Sequence, residues 1–268
     1  MTPLTEIADG VLVGTSERFT TTTTVVIGPD HGCLLIDPAV TPGDLAELAA
    51  ELAGRGLAPR AGWATHPHWD HVLWSQALGD VPRYTAPRAA ATALAERDGL
   101  VSGVQESAPG HDLALFGQLV ALPPGATAVP WDGPAAQVVI HDGHAPGHGA
   151  VFLPGTGTLI AGDMCSDIEI PLPDWAEPDP LGDYRTGLDR LGALAGQVQH
   201  VVPGHGHVGD GAEFRRRLTA DLAYLDTLAL GEPFDDPRLT EDWLRGEHDK
   251  ALACVSEHGA AGRGAVHS

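Results

Sequence analysis

His66-Pro67-His68-Trp69-Asp70-His71 is the most informative segment of this sequence, because it holds three histidines and an aspartate within six residues. It follows residues 61–65, whose composition predicts a short strand. Side chains alternate along an extended chain, so His66 and His68 point to the same side and can share one ion. Asp70 and His71 lie past the strand end, where the chain turns, and can reach a second ion nearby. Imidazole and carboxylate ligands together suit zinc or a similar divalent ion.

Three more potential ligands, His148, Asp163 and His205, stand at turns after predicted strands. Each adjoins a glycine, which lets the backbone approach an ion without a side chain in the way. Singly these turns are weak signals, since Gly-Asp and Gly-His turns are common in loops. Together with the first segment they supply seven ligands, enough for two metal sites.

Predicted strands and helices alternate along most of the chain. The predicted strands are residues 10–13, 23–27, 33–36, 61–65, 137–141, 150–153, 158–161 and 199–202, and the predicted helices begin near residues 42, 87, 181, 211 and 240. Residues 99–135 are rich in glycine and proline and show only weak periodicity, which favours loops over a site. Two packed sheets with helices outside account for this order, although a single mixed sheet fits the periodicity as well.

The composition restricts the class of function. The 268 residues carry a formal charge of −21, from 36 acidic against 15 basic side chains, and Lys250 is the one lysine. Such a surface repels phosphate backbones, so we expect a small-molecule substrate and no nucleic-acid partner. No apolar run is long enough to span a bilayer, and the start of the chain lacks a signal peptide. Three scattered cysteines predict no disulfide framework, and we expect a cytoplasmic protein without a membrane partner. The oligomeric state has no signal in the sequence.

These motifs resemble those of the metallo-β-lactamase superfamily, in which a His-x-His-x-Asp-His run is followed by a later His, Asp and His. The resemblance implies an α/β fold, a four-layer αβ/βα sandwich of two mixed β-sheets with helices on the outside. It implies a catalytic domain over residues 1–230, with residues 231–268 as a helical extension and frayed tail of the same domain. The implied ligands of the first metal are His66, His68 and His148, those of the second are Asp70, His71 and His205, and Asp163 bridges both.

Several neighbouring residues have two interpretations. His144 and His207 lie within four residues of implied ligands, and we interpret them as outer or exposed groups rather than ligands. Asp37 follows a predicted strand and either supports the metal loop or only forms a turn. Asp167 and Glu169 either line the mouth of the site or lie in a solvated loop.

The family resemblance implies a hydrolase with two divalent metal ions, zinc foremost, with iron or manganese as alternatives. In the implied reaction a metal-bound hydroxide attacks the carbonyl of an ester, thioester, lactone or amide of a small molecule. Asp70 is the candidate catalytic residue that also moves a proton. Two alternatives stay open: a mononuclear-iron oxidoreductase resembling persulfide dioxygenases, and a non-catalytic metal-binding module.

The substrate class is less well defined. Ser166 stands where the family's lactonases carry a tyrosine, and the C-terminal region lacks the basic pair that glutathione-thioester hydrolases use. Trp69, Trp74 and Trp175 can wall an apolar pocket near the metals, with core packing as the favoured role of Trp74.

Overall fold

The structure is a computed structural model that describes residues 1–38, 40–231 and 235–264, with side chains described through residue 256. Within these residues the chain forms twelve strands and six helices. The strands are β1 (Thr5–Ala8), β2 (Val11–Thr15), β3 (Thr22–Ile27), β4 (Gly32–Ile36), β5 (Ala58–Trp63), β6 (Arg83–Thr85), β7 (Val120–Ala121), β8 (Gln137–His141), β9 (His148–Leu153), β10 (Thr158–Gly162), β11 (His200–Pro203) and β12 (Gly209–Asp210). The helices are α1 (Pro42–Gly54), α2 (Pro87–Ala95), α3 (Arg97–Ser107), α4 (Pro180–Gly192), α5 (Gly211–Leu230) and α6 (Asp242–Gly264).

The described strands form two mixed sheets, as the family resemblance implied. The first has seven strands in the order β1-β2-β3-β4-β5-β6-β7. Its strands are antiparallel from β1 to β4 and parallel from β4 to β7. The second has five strands in the order β12-β11-β10-β9-β8, and only β10 and β11 are parallel.

Three buried clusters correspond to the three interfaces of a four-layer sandwich. One packs α1, through Leu45 and Leu48, against β3 and β4. A second packs α4 and α5 against β9 and β10. The third lies between the sheets, where Leu34 and Ile36 of the first sheet face the second. The predicted four-layer αβ/βα architecture is confirmed, and the single-sheet alternative is excluded.

Local sequence signals explain where two helices begin. Thr41 caps α1, because its side chain accepts a hydrogen bond from the Asp44 amide while the Asp44 carboxylate accepts one from the Thr41 amide. This is a capping box, with Pro42 at the first helical position. Asp210 caps α5 by accepting a hydrogen bond from the amide of Glu213.

The largest differences from the predicted elements lie in the middle and at the end of the chain. Residues 99–135, predicted as loops, contain most of α3 and the short β7. Helix α3 carries only two buried apolar side chains, Leu100 and Val104, which is why its periodicity is weak. Helix α6 continues to Gly264, so much of the predicted frayed tail is helical, while residues 265–268 lie outside the described residues. Among the described helices, none is long and apolar enough to cross a membrane.

Candidate metal centre

The candidate ligands lie at one edge of the sandwich, just past the carboxyl ends of parallel strands. The segment from His66 to His71 follows β5, Asp163 follows β10 and His205 follows β11. Asp37 follows β4, the strand that pairs with β5. Because parallel strands end at the same edge, residues far apart in sequence meet there.

The first cluster consists of His66, His68, His144 and Asp163. The Nε2 atom of His66 lies 3.0 Å from Nδ1 of His68. The Nε2 atom of His144 lies 3.1 Å from the same Nδ1 atom. Oδ2 of Asp163 lies 3.4 Å from Nε2 of His66 and 3.5 Å from Nε2 of His144. Four donor atoms therefore face one small volume.

The second cluster consists of Asp70, His71 and His205. The Nε2 atoms of His71 and His205 are 3.4 Å apart, and Oδ2 of Asp70 lies 3.6 Å from the first and 3.3 Å from the second. Asp163 also reaches this cluster, with Oδ1 3.2 Å from Nε2 of His71 and Oδ2 3.3 Å from Nε2 of His205. Its carboxylate thus contacts both groups.

The donor atoms have the spacing that a tetrahedral metal site requires. Ligand atoms about 2.0–2.1 Å from a zinc ion at tetrahedral angles are about 3.3 Å apart, and the separations within the clusters run from 3.0 to 3.6 Å. Oδ1 of Asp163 is buried without any hydrogen-bond partner, which is costly unless another group satisfies it. A side chain at Gly204 would fill this space, because its Cβ would lie 1.9 Å from Oδ1 of Asp163. The residues therefore fit a divalent cation at each cluster.

The first cluster includes His144, which the sequence analysis placed outside the ligands, whereas the predicted ligand His148 lies outside this grouping with its ring centroid 5.2 Å from that of His66. His148 is the first residue of β9, and its fully buried ring stacks on His141 with ring centroids 4.5 Å apart. Neither of its ring nitrogens has a hydrogen-bond partner. His144 lies in the preceding turn, which aims its ring outward at His68. The remaining six predicted ligands lie in or between the two clusters.

Hydrogen bonds from outside the clusters orient three of the histidines. Nδ1 of His71 lies 2.9 Å from Oδ2 of Asp37, Nδ1 of His144 lies 2.9 Å from the Leu172 carbonyl, and Nδ1 of His205 lies 3.0 Å from the Phe19 carbonyl. Because these oxygens only accept, each Nδ1 carries a proton and each Nε2 is the nitrogen that faces the cluster. Asp37 thus supports the metal loop, the first of its two interpretations.

The charges of the site also favour bound cations. Burial lowers the pKa of His144 to about 3, so its ring is neutral, as a metal ligand must be. Burial lowers the pKa of His71, but the carboxylates of Asp163 and Asp70 outweigh this effect and raise that pKa well above its usual value. Burial raises the pKa of Asp70, but His71 and His205 outweigh this effect and lower that pKa to about 2. The carboxylates therefore draw positive charge into the second cluster, which a dication would supply.

Two cavities open from the clusters and share His68, His144 and Leu172. The first, of ≈ 320 Å³, is lined by Phe19, Trp69, Asp70, Ser107, Asp163, Glu169, His205 and Trp243 besides the shared residues. The second, of ≈ 480 Å³, is lined besides the shared residues by Pro67, Thr92, Glu96, Leu100, Pro146, Pro173, Asp174, Trp175, Ala176, Glu247 and Lys250. Both are of the size that binds small molecules.

The structure shows which of the residues near the site line the two cavities and which do not. Trp69 lines the first cavity and Trp175 the second, whereas Trp74 is buried in the core and donates to the Gly79 carbonyl. Glu169 lines the first cavity, and burial raises its pKa to about 7. Asp167 lies outside both cavity linings and accepts a hydrogen bond from the amide of His207, whose side chain is 68% exposed.

Sequence reasoning did not find two residues of the site. Phe19 and Trp243 line the first cavity from segments distant in sequence from the ligands. Phe19 has a φ of 58° and Thr20 a φ of 53°, a left-handed turn that non-glycine residues rarely adopt. The run of threonines that follows Phe19 is typical of a strand and does not predict this turn.

A family model described as the metallo-beta-lactamase superfamily matches residues 18–207. A probable metallo-hydrolase, YflN, of Bacillus subtilis (strain 168) is 26% identical over 215 residues, which cover 70% of this chain and 81% of the relative. A hydroxyacylglutathione hydrolase of Rhodobacter capsulatus is 31% identical over 208 residues, covering 70% of this chain and 69% of the relative. Among solved structures, a metallo-beta-lactamase family protein of Thermus thermophilus superimposes with a TM-score of 0.65 at 22% identity, covering 93% of both chains.

Proposed function

The chain belongs to the metallo-beta-lactamase superfamily, and on this premise we propose that it is a dinuclear metal-dependent hydrolase. Its substrate is a small molecule with an ester, thioester, lactone or amide bond. Zinc is the ion that the donor set suits best, with iron or manganese as alternatives, because the ligands combine imidazole nitrogens with carboxylate oxygens.

The position of Asp163 is the observation that carries this proposal. Its carboxylate lies within 3.5 Å of ligand atoms in both clusters, and Oδ1 has no other partner. A carboxylate with two oxygens can serve two ions at once. A single-ion site would leave the second cluster, two histidines and an aspartate, without a role.

The remaining roles follow from what each side chain contacts. His66, His68 and His144 would hold the first ion, and Asp70, His71 and His205 the second. Divalent ions held by these residues would supply activated water and polarise a substrate carbonyl. Asp70 lines the first cavity at the metal cluster, so its carboxylate can also accept and return the proton of the reaction.

The curated relatives support hydrolysis of an acyl bond. One is named a hydroxyacylglutathione hydrolase, which places a thioester among the bonds to test. Another is named only as a probable metallo-hydrolase. We therefore assign the acyl-bond hydrolase class and leave the bond type to experiment.

The test is hydrolysis by the metal-loaded full chain. The protein is stripped with a chelator, reloaded with zinc, manganese or iron, and assayed with a lactone, a thioester, a β-lactam, a carboxylic ester and a phosphoester. We expect turnover of at least one acyl substrate, its loss on chelation and its return on reloading. Oxygen consumption with a persulfide, without turnover of any acyl substrate, would refute the proposal.

A further inference from the structure

The first cavity has an aromatic wall, formed by Phe19, Trp69 and Trp243. The rings of Phe19 and Trp69 meet edge to face with centroids 6.1 Å apart. Phe19 is 46% exposed and Trp243 is 50% exposed, and together with Trp69 they line one cavity rather than being scattered singly over the surface. The wall therefore offers apolar surface directly beside the metal clusters.

The backbone holds the Phe19 end of this wall rigidly. The Phe19 carbonyl accepts a hydrogen bond from Nδ1 of His205, and the Thr20 carbonyl accepts one from the Gly206 amide at 3.0 Å. The Thr22 amide donates to the Gly204 carbonyl at 2.8 Å. These bonds fix the left-handed turn at Phe19 and Thr20, a strained conformation that persists only when its surroundings determine it. The ring of Phe19 is thereby kept 6.4 Å from the ring of His205, a candidate ligand.

The charges of the described residues that line the first cavity do not suit an anion. Among the described residues that line the first cavity, none is lysine or arginine. Glu169 is the one charged side chain of this lining outside the two clusters. In the described part of the chain no hydrogen bond or ion pair engages its carboxylate, whereas its backbone is fixed by Ser166 and Arg238.

We propose that the substrate places an uncharged apolar group against Phe19, Trp69 and Trp243, and that Glu169 excludes substrates that carry a carboxylate or phosphate there. This inference rests on the proposed hydrolase function and narrows its substrate class. An aromatic wall gains from ring contacts and apolar burial. Because burial raises the pKa of Glu169 to about 7, its unpaired carboxylate is ionised above that pH, where it repels a second anion in a cleft with little water. Phe19 and Glu169 are then specificity-determining residues.

Three esters of one leaving group test the inference: 4-nitrophenyl acetate, 4-nitrophenyl phenylacetate and the 4-nitrophenyl monoester of succinate. We expect kcat/KM to be highest for the phenylacetate and lowest for the succinate. Phe19→Ala is expected to reduce the preference for phenylacetate over acetate about tenfold, the scale on which apolar pockets discriminate, whereas Phe19→Leu restores part of it. Trp243→Ala is a second wall variant, should Phe19→Ala disturb the turn.

Charge selection is tested separately. Glu169→Gln is expected to raise kcat/KM for the succinate relative to the phenylacetate by about tenfold, which corresponds to about 1.4 kcal/mol. Glu106→Gln removes the same charge from an exposed position of α3 outside both cavity linings and should not change this ratio. Leu94→Ala, at a residue 76% exposed, is the matching control for the wall variants.

The outcomes separate this inference from the proposed function. Metal-dependent hydrolysis with unchanged ratios in Phe19→Ala, Trp243→Ala and Glu169→Gln would overturn the inference alone. So would succinate as the preferred substrate. Absence of metal-dependent turnover with every acyl substrate of the wider panel would overturn the proposed function. Metal content, measured on each variant, must equal that of the unchanged chain for a ratio to count.

Discussion

At the scale of single residues, the candidate centre depends on how closely two loops approach each other. Asp163 follows β10 and Gly204 follows β11, and the Gly204 amide donates to the Gly162 carbonyl at 2.7 Å. Only hydrogen at Gly204 leaves room for the carboxylate of Asp163 between the clusters.

Gly204→Ala should therefore displace Asp163 and reduce bound metal. The added Cβ would lie 1.9 Å from Oδ1, so the carboxylate must move. We expect the variant to lose at least one of about two ions per chain, measured by elemental analysis after dialysis. Gly196→Ala, where an added Cβ meets nothing within 4 Å, is the control and should keep both. Full occupancy in Gly204→Ala would mean that Asp163 does not bridge.

A second prediction concerns which of the two histidines, His144 or His148, binds the first ion. His144→Ala should lose about one ion per chain, because it removes one donor of the first cluster. His148→Ala should keep both ions while lowering the melting temperature, since it leaves a hole beneath β9. His207→Ala, at an exposed side chain, is the control that should change neither. Loss of metal in the His148 variant with retention in the His144 variant would reverse the assignment.

The structure brings six of the seven residues expected from the sequence into the two clusters and adds His144. Strand β5 ends at Trp63, so His66 and His68 lie in a bend rather than an extended strand, and it is this bend that brings their ring nitrogens to 3.0 Å. His144 and His148 stand four residues apart in one glycine-rich turn, and both have the right chemistry. Which of them faces the cluster depends on the residue where β9 begins, and the sequence does not specify strand ends that closely.

Among the elements, the segment before α6 holds the loop that follows Asp163. Arg238 donates to the carbonyls of Ser166 and Glu169 and forms an ion pair with Asp221 of α5. The arginine is only 8% exposed. A buried cation with this many partners fixes the loop against α5.

Arg238→Ala should be strongly destabilising. It leaves Asp221 buried and unpaired, a loss that costs about 3–5 kcal/mol in comparable buried pairs. Urea unfolding measures the change. Arg216→Ala removes an arginine whose side chain is 64% exposed and pairs with Glu213, and it should cost less than about 1 kcal/mol. Equal losses of stability in the two variants would show that Arg238 does not hold this loop against α5.

The sequence predicts a helix correctly where capping residues and apolar periodicity coincide. It fails where contacts with residues distant in sequence determine the helix. Thr41 with Pro42 located the start of α1, and Asp210 with Glu213 located that of α5. Helix α3 was not predicted, because Gly103 interrupts the apolar periodicity of this segment. An added Cβ there would lie 3.0 Å from the ring of Trp69, a contact that no local signal reveals.

At the scale of the whole molecule, the two clusters lie where the two sheets meet. Residues from the ends of β5 and from the ends of β10 and β11 contribute to both. Bound ions would therefore connect the two halves of the sandwich.

Removal of the ions should lower the stability of the whole fold. Ligands that bind only the folded state stabilise it by about 2.7 kcal/mol at a hundredfold excess over Kd. For a chain of this size that corresponds to a fall in melting temperature of roughly 5–10 °C on chelation. Calorimetry with and without chelator, followed by reloading, measures it. An unchanged melting temperature in protein that has verifiably lost its metal would contradict this coupling.

Anomalous X-ray diffraction from crystals of the zinc-loaded protein would locate the ions and identify their ligands. Two peaks are expected about 3.5–4 Å apart, the spacing of two-metal hydrolases. One peak would be bound by His66, His68 and His144, the other by Asp70, His71 and His205, and Asp163 would lie between them. A single peak, or a peak bound by His148, would contradict this assignment.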